Sequence, residues 1–458
     1  MYQDIRGFIS KVDEEGELVR IRERLSPRYE IPGAIKYLTR KKNVAVLIEH
    51  VDGFTIPVVA NLLGTKKRLA TALGVEEADL IPSYLDRREK PVRPVIVADG
   101  PVKEVEIVKN VDIARTMPVL THHEKDAGPY FTSAVTIARD PETGIRGMGI
   151  HRIQVRDQKT VALFLATPPL SLFLAKAEAR GIPLEIAILI GLDPLTFFSS
   201  VCWAPEGTDK FDIAGGLSGR PIELVKCSTI DLEIPALAEF ALEGKVVPGE
   251  RQPEGPFGES TGYYFMSRNP VAEITAITHR KDPIYQALVP FCGNEEMVLL
   301  DVGWEMGHLR ELQNLFPFVR KVHFSNTLLT AVAQIEKTSD EDSVKLIGSL
   351  LANPFIKIAI IVDSDVDPHD AEEVNWAIAT RVQPERDVVV KGGMDGLVID
   401  PSTWDPEVST DFYSSVITRT SKLGVDATKP LNDIERYRKI DIPEAVKNKI
   451  LPLVARYL

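Results

Sequence analysis

The middle of the chain consists of short, strand-like segments. Between about residues 105 and 300 they are rich in β-branched residues and bounded by Gly, Pro or Asp, and they read FTSAVTIARD, GIHRIQVRD, TVALFLA, LEIAILIG, PIELVKC and VAEITAITHR. A series of this kind predicts a barrel or a sandwich. Two helices are predicted within it, LSLFLAKAEARG and ALAEFALEG, and each ends at a glycine where a helix cap is expected, Gly181 and Gly244.

The segments on either side mix helices with strands. In the first hundred or so residues we predict helices at YEIPGAIKYLTRKK, RLATALGVE and EADLIPSYLDRREK and strands at VAVLIEH and IPVVANLL, followed by a Pro-rich boundary. In the last third we predict helices at HLRELQNLFP, TLLTAVAQIEK, SVKLIGSLLAN and AEEVNWAIATRV, and strands at VRKVHFSN, KIAIIVDSDVD and DVVVKG. Because 458 residues exceed what one core accommodates, we predict domains over residues 1–104, 105–305 and 306–458.

Composition excludes several classes of protein. The net charge of −12 argues against a general nucleic-acid surface. The first residues carry acids and no long apolar run, and no stretch of ~18 apolar residues predicts a membrane span. Three cysteines, Cys202, Cys227 and Cys292, show no CxxC spacing, which predicts a cytoplasmic protein without disulfides or a zinc site.

Two glutamates flank a Gly-Pro-Phe-Gly segment in QPEGPFGEST, residues 252–261. Glu254 and Glu259 are five positions apart, a spacing that rotates by about 140° on a helix and changes face on a strand. Pro256 removes a backbone donor and the two glycines allow unusual dihedral angles, so we predict a shaped loop that is neither helix nor strand. Such a loop can hold carboxylates for acid–base chemistry. The alternative is a surface turn with solvated acids.

Arg152 lies in RGMGIHRIQV, an apolar segment predicted as a strand, where an unpaired guanidinium would be costly. We expect it to pair with carboxylates, and Glu254 and Glu259 are the candidates. An arginine between two acids keeps the acid paired to it ionised and makes the other easier to protonate, which provides a proton donor at neutral pH. A structural ion pair is the alternative, and the sequence alone leaves both open.

Two further polar clusters give weaker signals. The adjacent His122 and His123 point in different directions, which favours solvated loop histidines over a metal site. The run DSDVDPHD, residues 363–370, resembles hard-cation spacing but lacks the Gly and the Glu of a calcium loop, so capping of the following helix explains it better. The sequence has no Walker loop, no GxGxxG after a strand and no GxSxG.

Several longer stretches resemble the UbiD-type decarboxylases, which use prenylated flavin mononucleotide (prenylated FMN). They read HEKDAGPYFTSAVTIARDPETG, GIHRIQV, PEGTDKFDIAGGLSGRPIELVKCSTIDLEIPALAEFALEG, EGPFGESTGYY, AITHRKDPIY and KIAIIVDSDVDPHDAEEVNWAIATRVQPERD, and the likeness covers nearly the whole chain. The combination of EGPFGE, TGYY and the GIHRIQ arginine is specific. The resemblance implies an N-terminal α/β domain, a central flavin-reductase-like split β-barrel that binds the cofactor, and a C-terminal α/β domain that assists oligomerisation.

By this resemblance, Glu254, Arg152 and Glu259 correspond to the family's Glu-Arg-Glu network. Glu259 is then the proton donor, while Arg152 and Glu254 position the substrate carboxylate. The prenylated FMN supplies an electron sink, and the protein supplies the proton, orientation and electrostatics.

The candidates for binding the cofactor are Ile150, His151, Arg152, Ser200, Lys210 and Lys391, of which Lys391 is better explained as a solvated loop lysine. The family's divalent metal, usually manganese, joins the flavin phosphate to an Asn, a His and a Glu. Here the Asn and Glu positions are Gly147 and Lys210, and no histidine lies near TPPLSL, so a hard cation has no ligands. We therefore assign no metal and expect the Lys210 ammonium to pair with the flavin phosphate. The alternative is that metal, cofactor and activity are all lost.

The resemblance predicts a reversible, non-oxidative decarboxylation of an α,β-unsaturated or aromatic carboxylic acid. The expected partners are that acid, CO₂, a flavin prenyltransferase that supplies the cofactor, and further copies of the chain in a homodimer or homohexamer, with no nucleic acid and no membrane. A non-catalytic or partner-dependent subunit of a multi-subunit carboxylase is the alternative. A flavin reductase is disfavoured because the Glu-Arg-Glu group serves no hydride transfer.

Overall fold

A computed structural model describes residues 3–290, 295–324, 329–404 and 417–454. The N-terminal part packs helices on a small sheet, and its elements are α1 (Ile5–Glu14), β1 (Leu18–Leu25), α2 (Glu30–Lys42), β2 (Ala45–Val51), β3 (Val58–Ala60), α3 (Lys66–Leu73) and α4 (Leu80–Arg88). Strands β1 and β2 are parallel, and β2 and β3 are antiparallel. Local sequence sets the limits of α3: the Thr65 side chain caps its first turn, and Gly74 ends it in the left-handed conformation.

The central part is dominated by one curved sheet. Its elements are β4 (Val95–Ile96), β5 (Val105–Ile107), α5 (Ile113–Thr116), β6 (Tyr130–Phe131), β7 (Val135–Arg139), β8 (Arg146–Ile150), β9 (Ile153–Val155), β10 (Thr160–Leu163), α6 (Leu170–Ala179), β11 (Leu184–Ile190), α7 (Pro194–Val201), α8 (Lys210–Ser218), β12 (Glu223–Lys226), β13 (Glu233–Pro235), β14 (Phe240–Gly258), β15 (Tyr264–His279) and β16 (Tyr285–Ala287). Within the described ranges the large sheet has nine strands in the order β6-β9-β10-β15-β14-β11-β7-β8, with β5 paired to β15. Strand β16 is not part of this sheet. It pairs with β3 of the N-terminal sheet.

Strand β11 shows why the large sheet lies between two cores. Its sequence LEIAILI is apolar at nearly every position, as expected for a strand that is covered on both faces. Ile186 and Ile188 belong to the core that includes α6, whereas Ala187 and Leu189 belong to the core that includes α7 and α8.

The C-terminal part is a second helix-covered sheet. Its elements are α9 (Glu295–Leu300), a π-helical segment (Asp301–Glu305), α10 (Met306–Leu315), β17 (Val319–Phe324), β18 (Thr330–Ile335), α11 (Glu341–Ala352), β19 (Ile358–Asp363), α12 (Ala371–Arg381), α13 (Pro384–Asp387), β20 (Val388–Leu397), β21 (Ile417–Ala427) and α14 (Glu444–Val454). In the described residues the strand order is β17-β18-β19-β21-β20. Short 3₁₀ turns occur at Glu77–Asp79, Pro101–Lys103, Pro401–Thr403 and Leu431–Tyr437.

The helix predicted at ALAEFALEG, residues 236–244, is wrong. From Phe240 onward the segment is part of β14, where Leu242 pairs with Ile188 on one side and with Ile277 on the other. Alanine, leucine and glutamate favour helices in isolated peptides. Here the segment pairs with a strand on each edge and is buried on both faces, and these interactions outweigh the helix propensity. Gly244 does not cap a helix but allows β14 and β15 to lie close together. A Cβ at this position would lie 2.8 Å from the Glu273 carbonyl oxygen.

The helix predicted at TLLTAVAQIEK is wrong for the same reason. Residues 327–328 of this segment lie outside the described ranges, and Thr330–Ile335 form β18, which pairs with β17 on one side and β19 on the other. Almost all of its side chains are buried. Burial on both faces removes the period-2 pattern by which a strand is recognised from sequence.

Two local predictions about helix ends are confirmed. Gly181 follows α6 with a φ of 64°, as a helix-ending glycine does. The Asp370 carboxylate accepts hydrogen bonds from the first backbone N–H groups of α12, so the run at 363–370 does cap this helix. Cys202 and Cys227 are free thiols, while Cys292 lies outside the described residues. None of the helices in the described ranges combines the length and the apolar character of a membrane span.

Candidate active site

Arg152 lies in a two-residue break between strands, since β8 ends at Ile150 and β9 begins at Ile153. It was predicted within a strand, but the break leaves its side chain free to turn inward. The backbone remains tied to its neighbours: Arg152 O accepts from Phe164 N at 3.2 Å, and His151 N donates to a carbonyl of the adjacent segment. Arg152 is 8% exposed, so its charge requires partners.

The segment QPEGPFG is part of strand β14, so the prediction that it can be neither helix nor strand is wrong. A β-bulge accommodates its glycine and proline: Glu254 pairs with Ser267 and Phe257 pairs with Phe265, so three steps on β14 match two on β15. One extra residue reverses the alternation of faces along the strand. Glu254 and Glu259, five positions apart, can therefore reach the same side.

Both glutamates bind the Arg152 guanidinium. Nη2 of Arg152 donates to Oε2 of Glu254 at 2.7 Å, and Nη1 pairs with Oε1 of Glu259. The Glu254 side chain is fully buried and that of Glu259 is 13% exposed. The alternative of a surface turn with solvated acids is therefore wrong, and the difference in exposure places Glu259 nearer to any ligand.

Asn269 is part of this network and was missed in the sequence. Its Nδ2 donates to Oε2 of Glu254 at 2.8 Å and to Oγ of Ser267 at 2.8 Å. The available signal was the spacing of Ser267 and Asn269, two positions apart on β15, which places two polar side chains on one face. Because Glu254 also accepts from Arg152, two donors hold its ionised carboxylate in one orientation.

Three phenylalanine rings surround the Arg152 guanidinium. The ring centroids of Phe164, Phe257 and Phe265 lie 4.3, 5.1 and 5.4 Å from its Cζ atom. Aromatic faces attract a cation and exclude water. The low local dielectric strengthens both ion pairs, which makes the guanidinium a rigid and strongly polarising group.

Asp126 holds the end of β14 in place. Its carboxylate accepts from the backbone N–H groups of Gly258 at 2.9 Å, His123 at 2.8 Å and His122 at 3.1 Å. Since Gly258 precedes Glu259, these bonds position the candidate proton donor.

The prediction of solvated histidines is wrong: His122 is 5% exposed, and burial, with a smaller effect of the His123 charge, lowers the pKa of His122 to about 3.

Arg152 and Glu259 open onto a cavity of about 260 Å³. Most of its wall is apolar and comes from the central part of the chain, including α7, from α9 and from a C-terminal loop. The apolar lining residues are Ile150, Phe164, Ala166, Val201, Phe257, Leu288, Pro290, Leu299, Leu300 and Ile399. Among the described residues, Arg152 is the one lysine or arginine of the lining. The cavity therefore combines one paired cation with a largely hydrophobic space.

The buried polar atoms that lack a hydrogen-bond partner in the described part of the chain include His151 Nε2, Arg152 Nε and Glu254 Oε1, all close to the cavity. Burial of such atoms is costly unless something else satisfies them. His151 and Arg152 both line the cavity. The donors and acceptors that remain fit a polar ligand bound inside an otherwise apolar site.

Ser200 and Lys210 lie directly behind the cavity wall. Lys210 Nζ donates to Ser200 O at 2.7 Å, and Ser200 precedes Val201, which lines the cavity. Burial lowers the pKa of Lys210 to about 8, so its ammonium is still mostly protonated at neutral pH. Burial also lowers the pKa of His151 to about 4, and the Lys210 charge contributes to this shift.

The residues present do not fit the metal that the resemblance implies. A Cβ on Gly147 would lie 2.6 Å from ring atoms of Phe173 and Pro169, so an asparagine side chain has no room at that position. A lysine at position 210 repels a cation. Lys391 is exposed on β20 opposite Lys422, and the structure does not bring it to the cavity.

Comparison with known protein families shows which family the chain belongs to. It matches the UbiD N-terminal domain over residues 9–88, the UbiD Rift-related domain over residues 94–292 and the UbiD C-terminal domain over residues 303–427, each defined for 3-octaprenyl-4-hydroxybenzoate carboxy-lyase. The chain belongs to the UbiD family. The predicted recognition is thus confirmed, and this UbiD-family chain is a carboxy-lyase.

Individual relatives match almost end to end. An anhydromevalonate phosphate decarboxylase from Methanothermobacter thermautotrophicus is 32% identical over 449 residues, which are 96% of this chain and 100% of the relative. The UbiD-class enzyme HmfF from Pelotomaculum thermopropionicum, solved in complex with FMN, is 36% identical with a TM-score of 0.88 and covers 97% of this chain and 98% of its own. An evolved dimeric form of HmfF in complex with prFMN is 34% identical with a TM-score of 0.84, with the same coverage. These structures confirm the predicted multidomain α/β fold class, and the split β-barrel expected at its centre is a curled half-barrel sheet. They support a prenylated flavin as cofactor of this UbiD-family chain.

Proposed function

We propose that this protein catalyses the reversible, non-oxidative decarboxylation of an α,β-unsaturated or aromatic carboxylic acid with prenylated FMN. The observation that carries the proposal is the pairing of one buried arginine with two glutamates of different exposure at the wall of an apolar cavity. A single structural ion pair would need only one carboxylate. The second, more exposed carboxylate is suited to proton transfer.

Each residue of the network has a distinct role. Arg152 offers its unpaired Nε to the substrate carboxylate and holds it by charge and hydrogen bonding. Glu254, fixed by Arg152 and Asn269, keeps the guanidinium in place. Glu259 is ionised in its pair with Arg152, so it first takes up a proton from solvent, to which its side chain is partly exposed. It then gives that proton to the carbon from which CO₂ has left, because it is the acid of the pair that faces the cavity. Prenylated FMN, when bound, supplies the electron sink for the loss of CO₂.

For the cofactor, Ile150, His151 and Arg152 are the proposed contacts along the cavity wall, with Ser200 and Lys210 at the phosphate end. An ammonium has three donors, and in the described residues Lys210 uses one of them on Ser200 O. Its charge then replaces the divalent metal as the partner of the flavin phosphate. No step is assigned to a metal.

The cavity favours a substrate with an uncharged unsaturated or aromatic body. Its one described cation is already paired with two carboxylates, so a second anionic group on the substrate would lack a partner. CO₂ and a flavin prenyltransferase, which supplies the cofactor, complete the small-molecule and protein partners that we propose. Assembly as a homodimer or homohexamer and a cytoplasmic location stay predictions.

The first experiment measures CO₂ release by the purified single chain after loading with prenylated FMN, over a panel of aromatic and α,β-unsaturated acids with and without a phosphate group. Turnover of an unphosphorylated acid supports the proposal, and turnover of the phosphorylated acids alone would contradict the proposed substrate class. No turnover by flavin-loaded chain on any acid would favour the partner-dependent subunit instead.

The role of Lys210 is tested separately by flavin and manganese content. We expect Lys210→Ala to lose most of its prenylated FMN, whereas Lys226→Ala, an exposed lysine on β12, retains it. Both should be purified without stoichiometric manganese. Equal flavin content in the two variants would contradict the proposal.

A further inference from the structure

A second cluster of possible metal ligands lies apart from the cavity lining. Asp301 is the first residue of the π-helical segment after α9, His323 is near the end of β17, and His369 lies in the turn before α12. One ligand atom from each of the three lies within 4.8 Å of the others. Three segments far apart in sequence thus place one carboxylate and two imidazoles around a common point.

The spacing within the cluster suits a small divalent ion. Nδ1 of His323 is 3.1 Å from Oδ1 of Asp301. Two ligands held at ~2.0–2.2 Å by one tetrahedral ion lie roughly 3.3 Å apart, so this pair already has nearly the required separation. The His369 ring centroid is 4.5 Å from that of His323, which brings the second imidazole alongside the pair.

Hydrogen bonds identify which ring nitrogen of His369 accepts and which donates. Its Nε2 is 3.2 Å from Nζ of Lys66, and an ammonium can only donate, so Nε2 is the acceptor nitrogen. Nδ1 therefore carries the proton and donates to Oδ1 of Asp367 at 3.3 Å. A carboxylate that orients the far nitrogen of a ligating histidine is the usual support of a protein metal site.

A cation already occupies this point. Nζ of Lys66 lies 3.0 Å from Oδ2 of Asp301 as well as against His369, and the Lys66 side chain is 30% exposed. Lys66 is the first residue of α3, and its side chain can swing into solvent. The cluster is therefore shaped for a positive charge that can be exchanged.

We propose that Asp301, His323 and His369 bind a first-row divalent transition metal ion of the Zn²⁺ type, which displaces the Lys66 ammonium. Two imidazoles and one carboxylate favour such an ion over Mg²⁺ or Ca²⁺. Binding moves the His323 ring proton to Nε2 so that Nδ1 can ligate. The fourth position is left to water.

The site joins three parts of the fold. Lys66 belongs to the N-terminal part, Asp301 directly follows α9, and the two histidines belong to the C-terminal part. Leu299 and Leu300 of α9 line the cavity. A bound ion thus fixes the C-terminal sheet to the helix that forms one wall of the cavity, and it raises the unfolding temperature by mass action.

The test titrates Zn²⁺ into tag-free, flavin-free, EDTA-treated protein by calorimetry, with thermal unfolding on the same samples. We expect one equivalent to bind, and we expect His323→Ala and His369→Ala each to weaken binding at least tenfold. His50→Ala, an exposed histidine on β2, is the matched control and should bind as the wild type does. Binding that is absent, or that survives both histidine substitutions, would overturn the proposal.

A variant that binds Zn²⁺ more tightly than the wild type cannot be explained by misfolding, so a second set of variants tests for such a gain. Lys66→Met removes the competing ammonium and should bind Zn²⁺ at least tenfold more tightly, while Lys67→Met, at the neighbouring and more exposed lysine, should leave affinity unchanged. Asp367→Ala should weaken binding by about 10–100-fold, as loss of an orienting carboxylate does. Unchanged affinity in Lys66→Met would show that the lysine does not occupy the site and would overturn the proposal.

Discussion

The β-bulge in β14 can be tested at Gly255, which lies between the two glutamates. Gly255 has a φ of 100°, and a Cβ there would lie 2.7 Å from Phe265 O and 2.9 Å from Met266 Cα. A non-glycine residue in such a conformation costs ~1–3 kcal/mol, and relieving contact with a paired strand costs a further ~1–3 kcal/mol. We expect Gly255→Ala to destabilise the protein by about 2–6 kcal/mol.

Gly249 is a matched control on the same strand. Its φ is 70°, but nothing lies within 4 Å of a Cβ at that position. Gly249→Ala should therefore cost only the conformational part, ~1–3 kcal/mol. The difference between the two variants isolates the contacts that shape the bulge.

The larger effect is expected on catalysis. Movement of the bulge displaces Glu254 and Glu259 relative to Arg152, and a displacement of ~1 Å at a reacting group costs about 100-fold in rate. Unfolding temperature, flavin content and kcat/KM are measured on both variants. If Gly255→Ala retains the stability and kcat/KM of Gly249→Ala, the bulge does not align the glutamates and the argument is refuted.

Two further predictions concern the buried loop that supports Glu259. Asp126→Asn keeps the side-chain shape but weakens the bonds to the Gly258 and His123 N–H groups, so kcat is expected to fall at least tenfold while flavin content stays unchanged; an unaltered kcat would contradict the positioning role. The pKa of His122 is lowered to about 3 in the folded protein, so between pH 7 and 5 the unfolded chain, with a pKa near ~6.5, takes up a proton that the folded chain does not. The free energy of unfolding therefore decreases as pH falls from 7 to 5. His122→Gln should reduce that decrease by about 2 kcal/mol, measured by chemical unfolding at the two pH values. The same pH dependence in the variant and the wild type would contradict this prediction.

The association of Arg152 with two carboxylates was predictable from the sequence. An arginine among apolar residues requires compensation, and the paired acids of EGPFGE were the available partners. The arrangement that joins them was not predictable, because a one-residue bulge depends on how two long strands pair. Asn269 was missed for a related reason, since its role appears only when β15 is aligned with Glu254.

The two wrong helix predictions have one physical cause. Leu242 and its neighbours in β14, and Thr330–Ile335 in β18, are buried between strands on both sides, and local propensity does not decide such positions. The cluster of Asp301, His323 and His369 was missed for a different reason, although the run at 363–370 that contains His369 was weighed as a cation site. Its members are separated in sequence by 22 and 46 positions, as the numbering of the chain shows, and only the fold brings them together.

Glu259→Gln tests the central claim most directly. Glutamine keeps the size of the side chain and can still accept from Arg152, but it cannot donate the carboxylic proton, and general acid catalysis contributes ~10²–10⁴-fold. The measurement is CO₂ release by prenylated-FMN-loaded Glu259→Gln, beside Glu250→Gln, which changes an exposed glutamate on β14. The account predicts a loss of 10²–10⁴-fold at unchanged flavin content for Glu259→Gln and none for Glu250→Gln. Activity of Glu259→Gln within threefold of the wild type would contradict the assignment of Glu259 as the proton donor.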